Sequence, residues 1–389
     1  MGNFTIFDRM NESDVALRLF NEFEGYPIIY PITLYHLYPN VLLGRVVHCM
    51  WYLLGLVGNL LSVKIWSSPR LRRASQAAPY LITITMTDIL YQIMHVFFYL
   101  KYFWGLSSLG VTGLCQIWNV LNLLPQYASQ LLVFGFTTER FCAVLRPLET
   151  GRFSRVNRIP VFVISIVGTA FLIALPQSLF WTVDSAGFCE MRTSELSIVA
   201  YTYWTIVTES VIFIVFPAAT LVFNCFVLRY IRSSLKYINV EQVNTTAPVR
   251  MIRVYNKCSM YMPTIRTLML VSVFRIISQL PMSVTYTLQN FDYFNFGDFM
   301  SLQNMSADPQ WQRFLRYWGV RMVLETVGAS HHALGIFVFC ATSRLFRMEL
   351  LTMFKLKQRK RCKRQPARYH TASDPFRSKK APKPKAFSL

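Results

Sequence analysis

Four ionisable side chains stand in the middle of otherwise apolar stretches: Asp88, Glu209, Arg275 and Glu325. A charge surrounded by hydrocarbon is costly unless it is paired or serves a ligand or ion path, so each is a candidate for chemistry. Asn59, beside Gly58, could share a hydrogen-bonded cluster with Asp88. Glu139-Arg140-Phe141 places an acid next to an arginine. The two can pair with one another, or the arginine can swing to another partner, which is the ingredient of a two-state switch; the plainer alternative is that both snorkel at a membrane edge. His331 and His332 are adjacent, so on a helix they point roughly 100° apart and cannot form the i, i+4 pair that a metal wants. With no Gly-rich phosphate loop and no Cys-x-x-Cys pair, the reading is no metal, no cofactor and no enzyme.

The elements that carry these residues follow from composition. Of 389 residues 53% are hydrophobic and only 15% charged, with a mean hydropathy of +0.33, whereas a water-soluble chain carries about a quarter charged residues. Residues 46–63, 102–138 and 159–183 are free of charge and long enough to cross hydrocarbon. With the four charge-bearing stretches they make seven crossings, expected at 44–66, 79–101, 112–138, 159–182, 204–230, 267–290 and 318–341. The fold class is an all-α membrane protein, a seven-transmembrane helix bundle followed by a short amphipathic helix.

The net charge of +21 raises the question of nucleic acid, and location answers it. With the N-terminus outside, segments 67–78, 139–158, 229–266 and 343–389 are cytoplasmic and hold 30 basic against five acidic residues. That asymmetry sets the orientation and leaves no nucleic-acid partner. The outer segments hold eleven acidic residues and are net negative, which would concentrate cationic ligands. No cleaved signal peptide is read, and the first crossing would act as the membrane signal. The chain divides into an extracellular N-terminus (1–43), the seven-crossing domain (44–342), an amphipathic surface helix (343–356) built on Phe346, Leu350 and Phe354, and a basic, disordered tail (357–389) drawn to anionic lipid.

Of eight cysteines, Cys115 and Cys189 form the one pair placed in the oxidising compartment, so a bridge tying the fourth-to-fifth loop to the third helix is expected. Cys49, Cys142, Cys225, Cys258 and Cys340 read as free thiols, and Cys362 as a candidate for acylation. Asn3, Asn11 and Asn304 begin glycosylation sequons on outer segments, whereas the sequon at Asn244 falls inside and should be silent.

Taken together, Gly58-Asn59, Asp88, Cys115 with Cys189, Glu139-Arg140-Phe141, Pro217 in the fifth crossing and Pro281 in the sixth resemble the rhodopsin-like G-protein-coupled receptors in order, spacing and topology. The resemblance covers residues from about 44 to 356. It implies an extracellular ligand that rearranges the helices and a heterotrimeric G protein that binds the opened inner face. Arg146-Pro147-Leu148, the short third cytoplasmic loop and the segment from Phe339 to Arg347 are similar to invertebrate FMRFamide-type neuropeptide receptors.

The chain departs from the family in places. Ser278-Gln279-Leu280-Pro281 stands where Cys-Trp-x-Pro is usual, and Gly335-Ile336-Phe337-Val338-Phe339 where Asn-Pro-x-x-Tyr is expected, so the aromatic switch, the tyrosine hydroxyl and the proline kink are gone. The fourth-helix tryptophan is missing, and near Tyr261 no acid is available to hold Arg140. Gln130 and Arg275 replace two apolar family positions, and the expectation is that Arg275 hydrogen-bonds the Gln130 side-chain oxygen. Otherwise Arg275 points into a watery core, or the register differs by one.

By the same alignment Glu209, Glu325, Asn122, Gln126, Gln92, His95, Tyr286 and Arg321 line the ligand cavity. Asn122 stands where receptors for biogenic amines carry an acid, which argues against an amine. A polar, aromatic cavity suits a peptide, and one ending in Arg-Phe-amide could set its guanidinium against Glu209 or Glu325; Glu325 could instead pair with Arg321 one turn away. The rival readings are a chemosensory receptor for small molecules and a transporter or channel. The latter would need internal repeats and a continuous charged path, and neither is visible.

Overall fold

The structure, a computed structural model, describes residues 29–354 apart from 76, 107–108, 146–158, 185–186, 193, 243–248 and 289–299. Asn3, Asn11, Arg146-Pro147-Leu148, Asn244, Cys362 and the tail beyond residue 354 lie outside the described residues, as do the side chains of Cys258 and Tyr261. The chain forms two compact units, Met1–Leu350 and Leu351–Leu389; of the second only residues 351–354 are described.

A short helix α1 (Ile29–His36) precedes α2 (Tyr38–Trp66), α3 (Pro69–Ala74), α4 (Ala78–Trp104) and α5 (Leu114–Leu145). Then follow α6 (Ile159–Ala174), the single turn α7 (Gln177–Phe180), and strands β1 (Trp181–Val183) and β2 (Cys189–Met191). α8 (Glu195–Ser210) runs through a π-helical segment, Val211–Val215, into α9 (Phe216–Gln242). α10 (Val249–Leu288), α11 (Leu302–Met305), α12 (Pro309–Gly328), α13 (Ser330–Ala333), α14 (Gly335–Thr342) and α15 (Arg344–Met353) complete the described chain.

Five of these stretches are long and apolar enough to cross a bilayer: Tyr38–Trp66, Ala78–Trp104, Ile159–Phe180, Glu195–Tyr230 and Met269–Leu288. A sixth is the bent pair Pro309–Ala333 and Gly335–Thr342. The third crossing is α5, whose 32 residues are ample in length but include Asn119, Gln126, Ser129, Gln130 and Thr137, all buried. Polar side chains can occupy a crossing when they face the bundle rather than lipid. Large apolar side chains such as Leu53, Ile164, Leu172, Val199 and Ile277 are exposed on the outer faces, as expected where lipid is the solvent.

Several boundaries differ from expectation. The seventh crossing begins at Pro309 rather than 318, because Asp308 accepts hydrogen bonds from the backbone N–H groups of Gln310 (2.9 Å) and Trp311 (2.8 Å) ahead of a proline in the first turn. The fourth crossing ends by Phe180, and the chain then turns back as a hairpin pairing Trp181 with Met191 and Val183 with Cys189. The expected bridge is present: Cys115 and Cys189 are bonded, with Cα atoms 5.5 Å apart, tying that hairpin to the start of α5. Cys49, Cys142, Cys225 and Cys340 are free thiols. In the fifth crossing the π segment precedes Pro217, which has no N–H to return to residue 213; widening the turn absorbs the lost bond.

The largest departure is in the seventh crossing, which bends by 50° between α12–α13 and α14 without any proline. Side chains from other helices take up the backbone at the break. The Asn59 amide donates to the His332 carbonyl at 2.8 Å and Gln92 Nε2 reaches the same oxygen at 3.4 Å. A side chain inserted into the i→i−4 ladder is a recognised cause of a kink.

At the disulfide end, an aromatic cluster of Tyr99, Phe103, Trp311, Phe314 and Trp318 packs with Ile32 and Val41. At the other end, Phe346 of α15 is fully buried against Trp66 (ring centroids 5.4 Å) and Phe339 (5.6 Å), and Arg70 pairs with Glu349 at 3.7 Å. Gly55 lets α2, α4 and α13 approach closely, since a Cβ there would press on the Gln92 side chain and come within 2.9 Å of the Ala333 Cα. Gly55→Ala should therefore cost about 1–3 kcal/mol through overpacking, seen as a lowered thermal unfolding midpoint in detergent; an unchanged midpoint would contradict this packing.

Candidate functional site

Two polar regions occupy the bundle interior. The first is a cavity of about 190 Å³ near the disulfide end. Five of the eight residues expected to line it do so: Asn122 and Gln126 from α5, Glu209 from α8, Tyr286 from α10 and Arg321 from α12. Gln279 forms part of its wall, and Trp181 and Cys189 bring the disulfide-tethered hairpin to its edge. Glu209 is 8% exposed, and no cationic side chain among the described residues lies within ion-pair distance of it. The Asn122 Oδ1 is likewise buried without a hydrogen-bond partner among the described residues. Arg321 lies over the Tyr286 ring at 4.2 Å and the Trp318 ring at 4.8 Å.

The other three expected residues do not line this cavity. Glu325 is one turn further along the seventh crossing, where it accepts a hydrogen bond from Tyr286 Oη at 3.1 Å and faces His95 Nε2 at 3.9 Å. His95 in turn meets the Tyr52 hydroxyl at 2.8 Å and stacks on His48 with ring centroids 5.2 Å apart. Gln92 binds the Trp51 and His332 carbonyls. All three belong to the packing between the first, second and seventh crossings. A helix wheel places them on the interior but cannot tell the side facing a cavity from the side facing a neighbouring helix.

The second region centres on Asp88. Arg275 Nη2 donates to both of its carboxylate oxygens at 2.8 Å, and Arg275 Nη1 donates to Ser129 Oγ. His332 Nδ1 lies 2.7 Å from Asp88 Oδ1; because an ionised carboxylate only accepts, this nitrogen carries the proton. Four crossings thus meet on one ion pair, with both charged residues 3% exposed.

This geometry corrects one reading of the sequence and refines two others. Arg275 bonds Ser129 and Asp88 rather than Gln130, because one residue along α5 is a rotation of about 100° and it is Ser129 that faces α10. Asn59 shares a hydrogen-bonded cluster with Asp88 through His332, whose carbonyl it holds while the His332 ring meets the carboxylate. The His331 and His332 rings lie 3.9 Å apart beside the helix break, and His332 serves Asp88. No group of three or more metal-ligating side chains occurs among the described residues.

Away from both regions, Glu139 accepts a hydrogen bond from Tyr80 at 2.8 Å and pairs with Arg140 at 4.0 Å, and Arg140 lies over Phe136 at 4.7 Å. Phe141 stacks on Phe223 of α9, centroids 4.6 Å apart. Pro217 is buried, whereas Pro281 faces outward.

A disulfide-tethered hairpin over a cavity within seven helices, and a Glu-Arg-Phe at the far end of the third, converge with direct comparison. Residues 58–319 match the family described as 7 transmembrane receptor (rhodopsin family). The chain belongs to that family. Its members are receptors rather than enzymes. Over 178 residues, 43% of each chain, this receptor is 25% identical to G-protein coupled receptor 183 of Salmo salar. It is 25% identical to the FMRFamide receptor of Drosophila melanogaster over 203 residues, 46% of this chain and 36% of that one. To nematocin receptor 2 of Caenorhabditis elegans it is 28% identical over 122 residues, 29% of each. The chain spans less than half the length of each of these relatives.

The Ser129 correction has a measurable consequence. A hydrogen bond to a charged group is worth about 1.5–3 kcal/mol, so Ser129→Ala should lower the receptor's thermal unfolding midpoint in detergent distinctly more than Gln130→Ala. The reverse ranking would restore the Gln130 pairing.

Proposed function

We propose that this receptor binds an extracellular cationic peptide, amidated at its C-terminus, in the cavity beside Glu209 and passes the signal to a heterotrimeric G protein. The single observation that carries this reading is Glu209. It is a carboxylate at a cavity wall with no cationic side chain among the described residues within ion-pair distance, surrounded by hydrogen-bonding and aromatic groups such as Asn122, Gln126 and Tyr286. A buried acid of this kind holds a charge only beside a cation, and a ligand guanidinium supplies one through charge-assisted hydrogen bonds. A relative named for FMRFamide, whose sequence ends in Arg-Phe-amide, supports the same chemistry. Glu325 is a weaker anchor, since Tyr286 already occupies one of its oxygens.

In this reading the chain sits in the plasma membrane with the disulfide end outside and the Glu139-Arg140 end in the cytoplasm. Support comes from the 30 basic against five acidic residues on the segments at that second end. Asn304 is exposed on α11 and would carry a glycan on the outside, together with Asn3 and Asn11. The basic tail would lie against anionic lipid at the inner surface, and the inner face opens to the G protein.

Amidated neuropeptides applied to cells expressing the receptor should yield at least one that activates a G protein. Glu209→Gln should reduce its potency about 10- to 100-fold, from the loss of about 1.5–3 kcal/mol, and Glu325→Gln should reduce it less. If both variants respond at wild-type potency, the peptide does not bind through these acids. Epitope tags at the two ends should be accessible on opposite sides of the membrane.

A further inference from the structure

The Asp88–Arg275 pair lies one helical turn beyond the cavity. Gln279 lines the cavity and sits four residues after Arg275 on α10; Gln126 lines it and sits three residues before Ser129 on α5. At 1.5 Å per residue these offsets are about 5–6 Å along each axis. The groups that hold the cavity floor and the groups that hold the ion pair are thus successive turns of the same two helices.

We propose that Asp88, Arg275, Ser129 and His332 form a latch that holds the sixth crossing against the second, third and seventh, and that this buried ion pair sets the basal signalling of the receptor. The Arg275 guanidinium spends two of its nitrogens on the latch, one on both Asp88 oxygens and one on Ser129. From the opposite side His332 Nδ1 donates to the same carboxylate, and the His332 ring lies flat on Tyr91 with centroids 3.7 Å apart. All four latch residues are 1–3% exposed.

Such a pair does not yield gradually. Drawn apart by a few ångströms without water, it leaves two uncompensated charges in a low-dielectric interior; closed, or open and hydrated, it is satisfied. The arrangement therefore has two states, which is what a switch needs. The seventh crossing takes part because the same break that frees the His332 carbonyl for Asn59 aims its ring at Asp88. The signalling role rests on the functional reading above; the existence of the latch does not.

The test uses the full chain purified in detergent micelles and, separately, in cells. Asp88→Asn with Arg275→Gln removes both charges together, so neither is stranded. Amide hydrogen exchange across residues 269–280 of α10 should rise at least several-fold over wild type, with exchange in α2 little changed. In cells the basal activation of co-expressed G proteins, per receptor at the surface, should rise several-fold. The charge-swapped pair, Asp88→Arg with Arg275→Asp, should restore protection of α10 toward wild type, and it decides the matter if the neutral pair does not fold.

Unchanged exchange in α10 overturns the latch whatever the G-protein signal, and so does a swapped pair that leaves α10 unprotected. Raised exchange with no basal activation of any G protein supports the latch and counts against the signalling role instead.

Discussion

Asp88 and Arg275 carry opposite charges to a depth where water barely reaches either, and bring them within 2.8 Å. Removing one member of such a pair strands the other and costs about 3–5 kcal/mol, a large part of the 5–15 kcal/mol that typically separates a folded domain from its unfolded chain. Much of the bundle's interior answers to that constraint. The facing turns of α4 and α10 are set by the carboxylate and the guanidinium. Ser129 takes a guanidinium hydrogen that would otherwise be buried without an acceptor, and His332 must carry its proton on Nδ1 because the carboxylate oxygen it meets can only accept.

The broken seventh crossing belongs to the same arrangement. Without a proline, a helix bends by 50° only if other groups satisfy the backbone at the break, and Asn59 with Gln92 do so from the first and second crossings. Beside this bend the His332 ring meets Asp88. Above this polar centre the cavity has a different character. There the Asn122 Oδ1 has no hydrogen-bond partner among the described residues and Glu209 has the Ser283 hydroxyl as a polar neighbour, whereas Glu325, one turn away, is drawn into contacts with Tyr286 and His95. Two acids of similar depth are thus set apart by their neighbours: one faces a space, the other completes a packed interface.

Much of this was legible in the residues alone. Charge-free runs of crossing length, single charges at mid-run and the Cys115–Cys189 pair lead to seven helices and a tethered loop, and five of the eight cavity residues follow from the resemblance to the rhodopsin-like receptors. Gln130 for Ser129 is an error of one residue in phase. Asn59 and Asp88 do share a cluster, but through His332, a link that the positions of the two residues do not reveal. The proline kink of the seventh helix is absent, as read, yet the crossing bends, because side chains from other helices meet the backbone at the break.

What the sequence by itself determined is what depends on solvent and on local order: which stretches enter lipid, which end is basic, which side chains lie at which depth. Hydropathy and charge act residue by residue, so they can be read from the chain. The tertiary structure alone decided which polar groups meet. The partner of Arg275, the acceptor for Asn59 and the separate fates of Glu209 and Glu325 depend on helix rotations of a fraction of a turn, which are settled by the packing of all seven helices at once and leave no mark in any one of them.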